Sequence, residues 1–215
     1  TGGIPLPFQL SLVHLFLFGD LHHQPLEQLG VALSIFLHVL NRQADIGDGV
    51  DEEQGIALEQ ALCLQALDTH IHGGERVLDL GCGSGILSIA ALRLGAESAF
   101  ACDIDEKCVD VAYENAALNG IGKDRYTVRW GDVLTDAALR QEMGAGYDIV
   151  VANIVADVIM GLSPHVRPFL KPGGLFLCSG IIDDRAAEVL EKLKADGWDV
   201  FEQRSSEGWF SYLCK

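Results

Sequence analysis

A chain of 215 residues, 49% of them hydrophobic, is long enough for one large domain or a domain with a small appendage. Its formal net charge of −16 excludes a general basic field for holding nucleic acid, because such binding neutralises phosphates with Lys and Arg; the same charge suits a basic partner. The six cysteines form no C-x-x-C pair and no Cys/His cluster of zinc-ligand spacing, so no metal site is expected and the usage fits a reducing cytosol.

In chain order, Ile4–Phe18 is the first strongly apolar stretch. It is shorter than the roughly 20 residues a bilayer span needs and lacks the basic start of a signal peptide, so it reads as a buried segment and no membrane is expected. Ala57–Leu67 (ALEQALCLQAL) is a helical stretch, nearly continuous in its apolar residues and so expected to be buried on more than one side. From Glu75 onward apolar β-type runs alternate with helical ones. Strands are expected at Glu75–Leu80, Ser98–Cys102, Tyr126–Trp130, Asp148–Ala152 and Leu175–Ser179. Helices are expected at Ile86–Leu94, at Glu106–Asn119 (stopped by Asn119-Gly120), at Ile154–Phe169 (broken near Pro164 and Pro168) and at Asp184–Asp196. Lys171–Gly174 reads as a turn. Two final strands, Asp199–Gln203 and Trp209–Cys214, are joined by Arg204–Gly208, too short for a parallel crossover and hence an antiparallel hairpin. The expected fold is α/β: a Rossmann-like, mostly parallel sheet with helices on both faces and a C-terminal antiparallel hairpin.

The turn after the first strand reads DLGCGSG, Asp79–Gly85. It lacks the Lys of a Walker phosphate loop, and Ile86 stands where a dinucleotide fingerprint needs its third glycine. Asp79, Gly81, Gly83 and Gly85 instead match D-x-G-x-G-x-G, the first motif of class I S-adenosylmethionine methyltransferases. That cofactor has no phosphate and carries two positive groups, which acidic residues at strand ends complement; the glycines let the backbone lie close to it. Asp103 ends the second strand, where an acid can accept from both ribose hydroxyls. Asp132, after the third strand, is a candidate acceptor for the adenine amino group or a turn residue; Asp105 reads as a helix cap. Trp130, Trp198 and Trp209 read as packing residues, and His22, His23, His70 and His72 as surface or loop histidines.

At the end of the fourth strand, Asn153-Ile154-Val155-Ala156 closely resembles the Asn-Ile-Leu-Ala motif of the ribosomal protein L-eleven methyltransferase family (PrmA-type). GCGSGILSIAALRLGA, DIDEKCVDVAYENAALNG, FLKPGGLFLCSGII and EGWFSYLCK are similar to the same family in order and spacing, over about Leu62–Lys215. The resemblance implies an S-adenosylmethionine-dependent protein N-methyltransferase that modifies lysine or N-terminal amines of a large-subunit ribosomal protein in the cytoplasm. It implies cofactor contacts at Gly81, Asp103 and Asn153, to which the motif adds Asp79 and Gly83 and the strand ends add Asp132. Asn153 is the expected catalytic residue, its side-chain carbonyl orienting the amine.

Residues 55–215 are therefore expected to form the methyltransferase domain. Residues 1–54 are expected to be a divergent, truncated or frame-shifted segment, since nothing in them resembles the family's substrate-recognition domain. Where the family carries a Gly-Thr-Gly-x-His-x-Thr-Thr loop closing over the cofactor, this chain reads EEQGIALEQ, residues 52–60. Two alternatives stay open: a different protein or small-molecule acceptor, and a non-catalytic remnant lacking that loop.

Overall fold

The structure is a computed structural model that describes residues 50–215, with side chains described from Gln60 onward; the Ile4–Phe18 stretch, His22, His23 and most of segment 1–54 lie outside the described residues. Helix α1 (Val50–His70) enters strand β1 (Arg76–Leu80). There follow α2 (Ile86–Leu94), β2 (Ser98–Asp103), α3 (Lys107–Leu118), β3 (Tyr126–Trp130), α4 (Ala137–Met143), β4 (Tyr147–Asn153), α5 (Ala156–Val166), a 3₁₀ turn (Arg167–Phe169), β5 (Leu170–Ile182), α6 (Asp183–Ala195), β6 (Val200–Ser206) and β7 (Trp209–Cys214).

The seven strands form one sheet in the order β3-β2-β1-β4-β5-β7-β6. β1 to β5 pair in parallel, while β7 runs antiparallel to both β5 and β6. The chain therefore winds outward from β1 to β3, returns, and winds outward again from β4. That reversal between β1 and β4 is the topological switch point, where ligands of open α/β sheets bind beyond the carboxyl ends of the strands.

Both faces of the central strands are covered: Val77, Leu78, Asp79 and Leu80 are all buried although alternate side chains point to opposite faces. On one face Leu78, Leu80, Val150, Ala152 and Phe176 join Ile159 and Leu162 of α5 and Val189 and Leu193 of α6 in a single apolar cluster. Helix α2 is buried from Ile86 through Leu92, Ser88 included. In α1, by contrast, Ala61, Leu62, Cys63, Ala66 and Leu67 are buried while Gln65, Asp68 and Thr69 are exposed. From Gln60 onward the buried positions thus fall on more than one side of the helix, and the exposed ones take the remaining strip.

Four local features differ from expectation. Helix α4 lies where no element was expected; Asp136 caps it by accepting from Leu139 N (2.9 Å), and it ends at Gly144. Helix α5 runs through Pro164 to Val166, because the buried Leu162 and Val166 anchor the turn on either side of the proline. Lys171–Gly174 is absorbed into β5 as a bulge, the register jumping from Tyr147↔Leu170 to Ile149↔Leu175. The final hairpin turns on only two residues, Glu207 (φ 45°) and Gly208 (φ 87°), so β6 runs on to Ser206 instead of ending at Gln203, while β7 has its expected bounds.

Candidate functional site

Beyond Leu80 the chain leaves the sheet in the glycine turn and re-enters helix at Ile86. Gly81 N–H and Cys82 N–H both donate to Cys102 O (2.9 and 3.0 Å), which ties the turn to the end of β2. Gly81, Gly83 and Gly85 all have positive φ (80°, 51° and 80°). Their surroundings differ. A Cβ at Gly81 would stand 2.5 Å from Ile154 Cγ2, and one at Gly85 would stand 2.6 Å from Tyr126 Oη. A Cβ at Gly83 would meet nothing within 4 Å. Two of the glycines are thus required by the packing beneath, and the middle one faces open space.

Asp103 closes the turn from the side. Its Oδ2 accepts from Gly83 N–H (2.8 Å) and its Oδ1 from Asp105 N–H (2.9 Å). A carboxylate oxygen has two lone pairs, so each keeps one for a further donor, which is what a ribose diol requires. Asp105 in turn accepts from Lys107 N–H (3.0 Å) and caps the entry to α3. The Cys108 thiol, a weak donor, competes for one of these lone pairs; burial, with the negative charges of Asp103 and Asp105, pushes it up to about 11.

Asp79 sits under the turn rather than in it, with 1% of its surface exposed. Its Oδ2 accepts from both Ser88 N–H (3.2 Å) and Ser88 Oγ–H (2.5 Å), and its Oδ1 is buried without a partner. Burial pushes its carboxyl up to about 6, against the lowering effect of the Ser88 bonds. Ser88 was not singled out from the sequence, since nothing in ILSIAAL marks one serine as the carboxylate's partner. Because the native pKa lies above the unfolded one, the folded chain holds an extra proton between about pH 4 and 6. Stability from this group is full below that window and lost as pH rises through it, by roughly 3 kcal/mol for two units. Asp79→Asn should flatten this fall: urea unfolding from pH 4 to 7 should show the parent losing stability relative to the variant. Parallel curves would show that Asp79 does not titrate there.

Asp132 fixes its own turn: Oδ1 accepts from Leu134 N–H and Oδ2 from Thr135 Oγ–H, both at 2.9 Å. Asn153 ends β4. The β1–β4 register pairs Asp79 with Val151, which brings Asn153 level with Gly81. The residue is half-buried, and its Oδ1 is a buried acceptor without a partner. Ile154 N–H bonds Ser179 O (3.1 Å), and a Cβ at Gly180 would run into the Ile154 backbone, so the ends of β4 and β5 are locked together behind it. The strand ends thus bring Gly81, Gly83, Asp103 and Asn153 to one rim, with Asp79 below it.

Several apolar residues at strand and helix ends went unremarked in the sequence. Ile104 is 75% exposed and Val155 64%, directly after Asp103 and Ile154, and Val158 is also exposed. Trp130 corrects its expectation as a packing residue: it is 59% exposed at the end of β3, whereas Trp198 is buried. His70, expected to be a surface or loop histidine, ends α1 with Nε2 3.9 Å from Glu202 and its ring edge-on to Phe201.

A sheet of this order, with a glycine turn after β1 and an acid ending β2, defines the class I methyltransferase fold. The chain belongs to the ribosomal protein L11 methyltransferase (PrmA) family, whose profile matches residues 59–215. It is 42% identical over 153 residues to the ribosomal protein L11 methyltransferase of Desulforamulus reducens, covering 71% of this chain and 47% of that one. It is 39% identical over 171 residues to the one of Caldanaerobacter subterraneus, covering 80% and 52%. Among solved structures, the ribosomal protein L11 methylase of Lactobacillus delbrueckii superposes with a TM-score of 0.67 at 29% identity, covering 73% of this chain and 78% of that chain. A TehB-like SAM-dependent methyltransferase from Corynebacterium glutamicum, at 14% identity, shares the fold (TM-score 0.59), covering 84% and 95%. The chain spans about half the length of the curated relatives it matches. The match begins within α1, so residues 52–58 of EEQGIALEQ precede it. Among the described residues, no helix is long and apolar enough to cross a membrane.

Proposed function

We propose that residues 55–215 form the methyltransferase domain of an S-adenosylmethionine-dependent protein N-methyltransferase acting on lysine or N-terminal amines of a large-subunit ribosomal protein. The observation that carries this reading is the Asp103 carboxylate, tied to Gly83 N–H with one lone pair left on each oxygen, beside a glycine whose Cβ position is open. The residues fit the cofactor: Asp103 would hold the ribose, Gly81 and Gly83 the amino-acid end, with the buried charge of Asp79 behind them. Asp132, after fixing its turn, has lone pairs for the adenine amino group. When bound, S-adenosylmethionine supplies a methyl group on a sulfonium, for in-line transfer to a neutral amine.

The chain's own residues then have three tasks. Asn153 turns an amine toward the glycine rim through an N–H···O=C bond from the amine; an amide is too weak a base to remove its proton, which leaves to water. The exposed Val155 and Val158 beside it shed water from an incoming lysine, and desolvation disfavours the ammonium form, whose ordinary pKa is about 10.4. The strand ends hold donor and acceptor in one alignment, from which much of the rate can come. A basic ribosomal client suits a chain of net charge −16, and six cysteines, none of them in a disulfide, suit a cytoplasmic setting.

Calorimetry with S-adenosylmethionine, followed by labelled methyl transfer to large-subunit proteins, tests the reading; no binding at millimolar cofactor would sink it. Asn153→Ala is expected to lower turnover about tenfold, the scale of one lost hydrogen bond at the reacting group, and to lower cofactor affinity by less. An unchanged single-turnover rate removes the role given to Asn153. The helical backbone of residues 52–60, in place of a closing loop, favours a second reading: a fold that binds the cofactor without turning over. Cofactor binding with no transfer to any ribosomal protein is its signature.

A further inference from the structure

Trp130 stands out among the three tryptophans because its large apolar surface is spent in the open. It is 59% exposed, and its ring forms one wall of an open groove of about 590 Å³ with Glu106, Val109, Tyr113 and Arg129. An indole N–H that exposed could be satisfied by water. It instead donates to Ile104 O at 3.1 Å. Ile104 is the residue between Asp103, whose carboxylate ties down Gly83, and Asp105, whose N–H bonds that carboxylate.

The β2–β3 ladder explains why this bond matters. Its last pair is Asp103↔Trp130, and Gly131 N–H still bonds Asp103 O at 2.9 Å. One residue further on, at Ile104, the chain has left the ladder; the Trp130 side chain carries support from β3 across to it. The turn that follows Asp103 is thus held by a side chain that reaches beyond the end of the sheet.

We propose that Trp130 is a positioning residue for the nucleoside end of the cofactor: its indole N–H fixes the Ile104 carbonyl and, through it, the direction of the Asp103 carboxylate. The proposal rests on the cofactor reading above and adds to it a residue that the glycine motif does not contain. Trp130→Phe keeps a ring in the groove and removes only the donor. An exposed ring contributes little to the core, so the urea midpoint should stay that of the parent chain.

Two measurements on the full chain test it. Amide hydrogen exchange without ligand should show Gly83 and Asp105, whose N–H groups bond Asp103, exchanging about threefold to tenfold faster in Trp130→Phe. Gly81, bonded to Cys102 O, should exchange at the parent rate. Calorimetry should show affinity for S-adenosylmethionine weakened by a similar factor, while turnover at saturating cofactor is kept. Equal exchange at Gly83 and Asp105 overturns the proposal. So does cofactor affinity in the variant equal to that of a parent chain that binds. A parent chain that does not bind at all overturns the cofactor reading, and the proposal with it.

Discussion

Asp103→Ala should weaken S-adenosylmethionine binding about a hundredfold. Among the described residues, its carboxylate is the one acid placed both to hold the glycine turn, through Gly83 N–H, and to keep acceptor capacity for further donors. Hydrogen bonds to a charged group contribute about 1.5–3 kcal/mol each, and two such bonds to a diol amount to a hundredfold or more. The loosened turn adds to the loss, since Gly83 N–H then lacks its acceptor. Titration calorimetry at constant ionic strength is the measurement. A loss of less than about threefold would mean the ribose lies elsewhere. Asp103→Asn is the informative companion: its Oδ1 can still accept from Gly83, so it should retain the turn and lose mainly the charge-assisted share.

The second large effect concerns folding. Gly81→Ala should destabilise the chain by about 2–4 kcal/mol. The residue has φ 80°, in the left-handed region, which costs an alanine roughly 1–2 kcal/mol, and the new methyl would stand 2.5 Å from Ile154 Cγ2. Ile154 has little room to retreat, because its N–H is bonded to Ser179 O and its backbone lies against Gly180. Gly83→Ala is the control: the conformation is also left-handed, but the methyl meets open space, so the cost should be about 1 kcal/mol. Urea unfolding followed by fluorescence compares the two. Equal losses would show that backbone conformation alone requires the glycines and that the Ile154 contact does not. Because Ile154 follows Asn153 directly, the Gly81 variant should also misplace the end of β4.

The switch point and its glycine turn were legible in the chain because they rest on local chemistry: short apolar runs, glycines at strand ends and an acid closing β2. The parallel pairing of the central strands followed from alternation, and the antiparallel tail from a connection too short to cross over. What escaped depended on neighbours distant in sequence. Asp79 reads as a ligand in DLGCGSG, yet the fold places it beneath the turn against Ser88. Trp130 has the composition of a core residue, but β3 is an edge strand, and its end is where the indole lies open. Helix α4 carried both of its signals, Asp136 before and Gly144 after, and was missed because seven residues give too few turns for an apolar period to show. The helix through Pro164 was hidden because local preference argues for a break, whereas the buried Leu162 and Val166 decide the outcome.

The same outer strand raises the question of how an open sheet ends. Tyr113 of α3 lays its hydroxyl over the middle of β3, accepting from Val128 N–H (2.9 Å) and donating to Val128 O (3.4 Å), and Lys123 stands 4.0 Å over its ring. One phenol thus takes both the donor and the acceptor that the strand's centre would offer to another molecule. A β-segment arriving from a neighbouring chain finds that central rung already filled and a cation above it, so this border resists the edge-to-edge stacking that leads to aggregation.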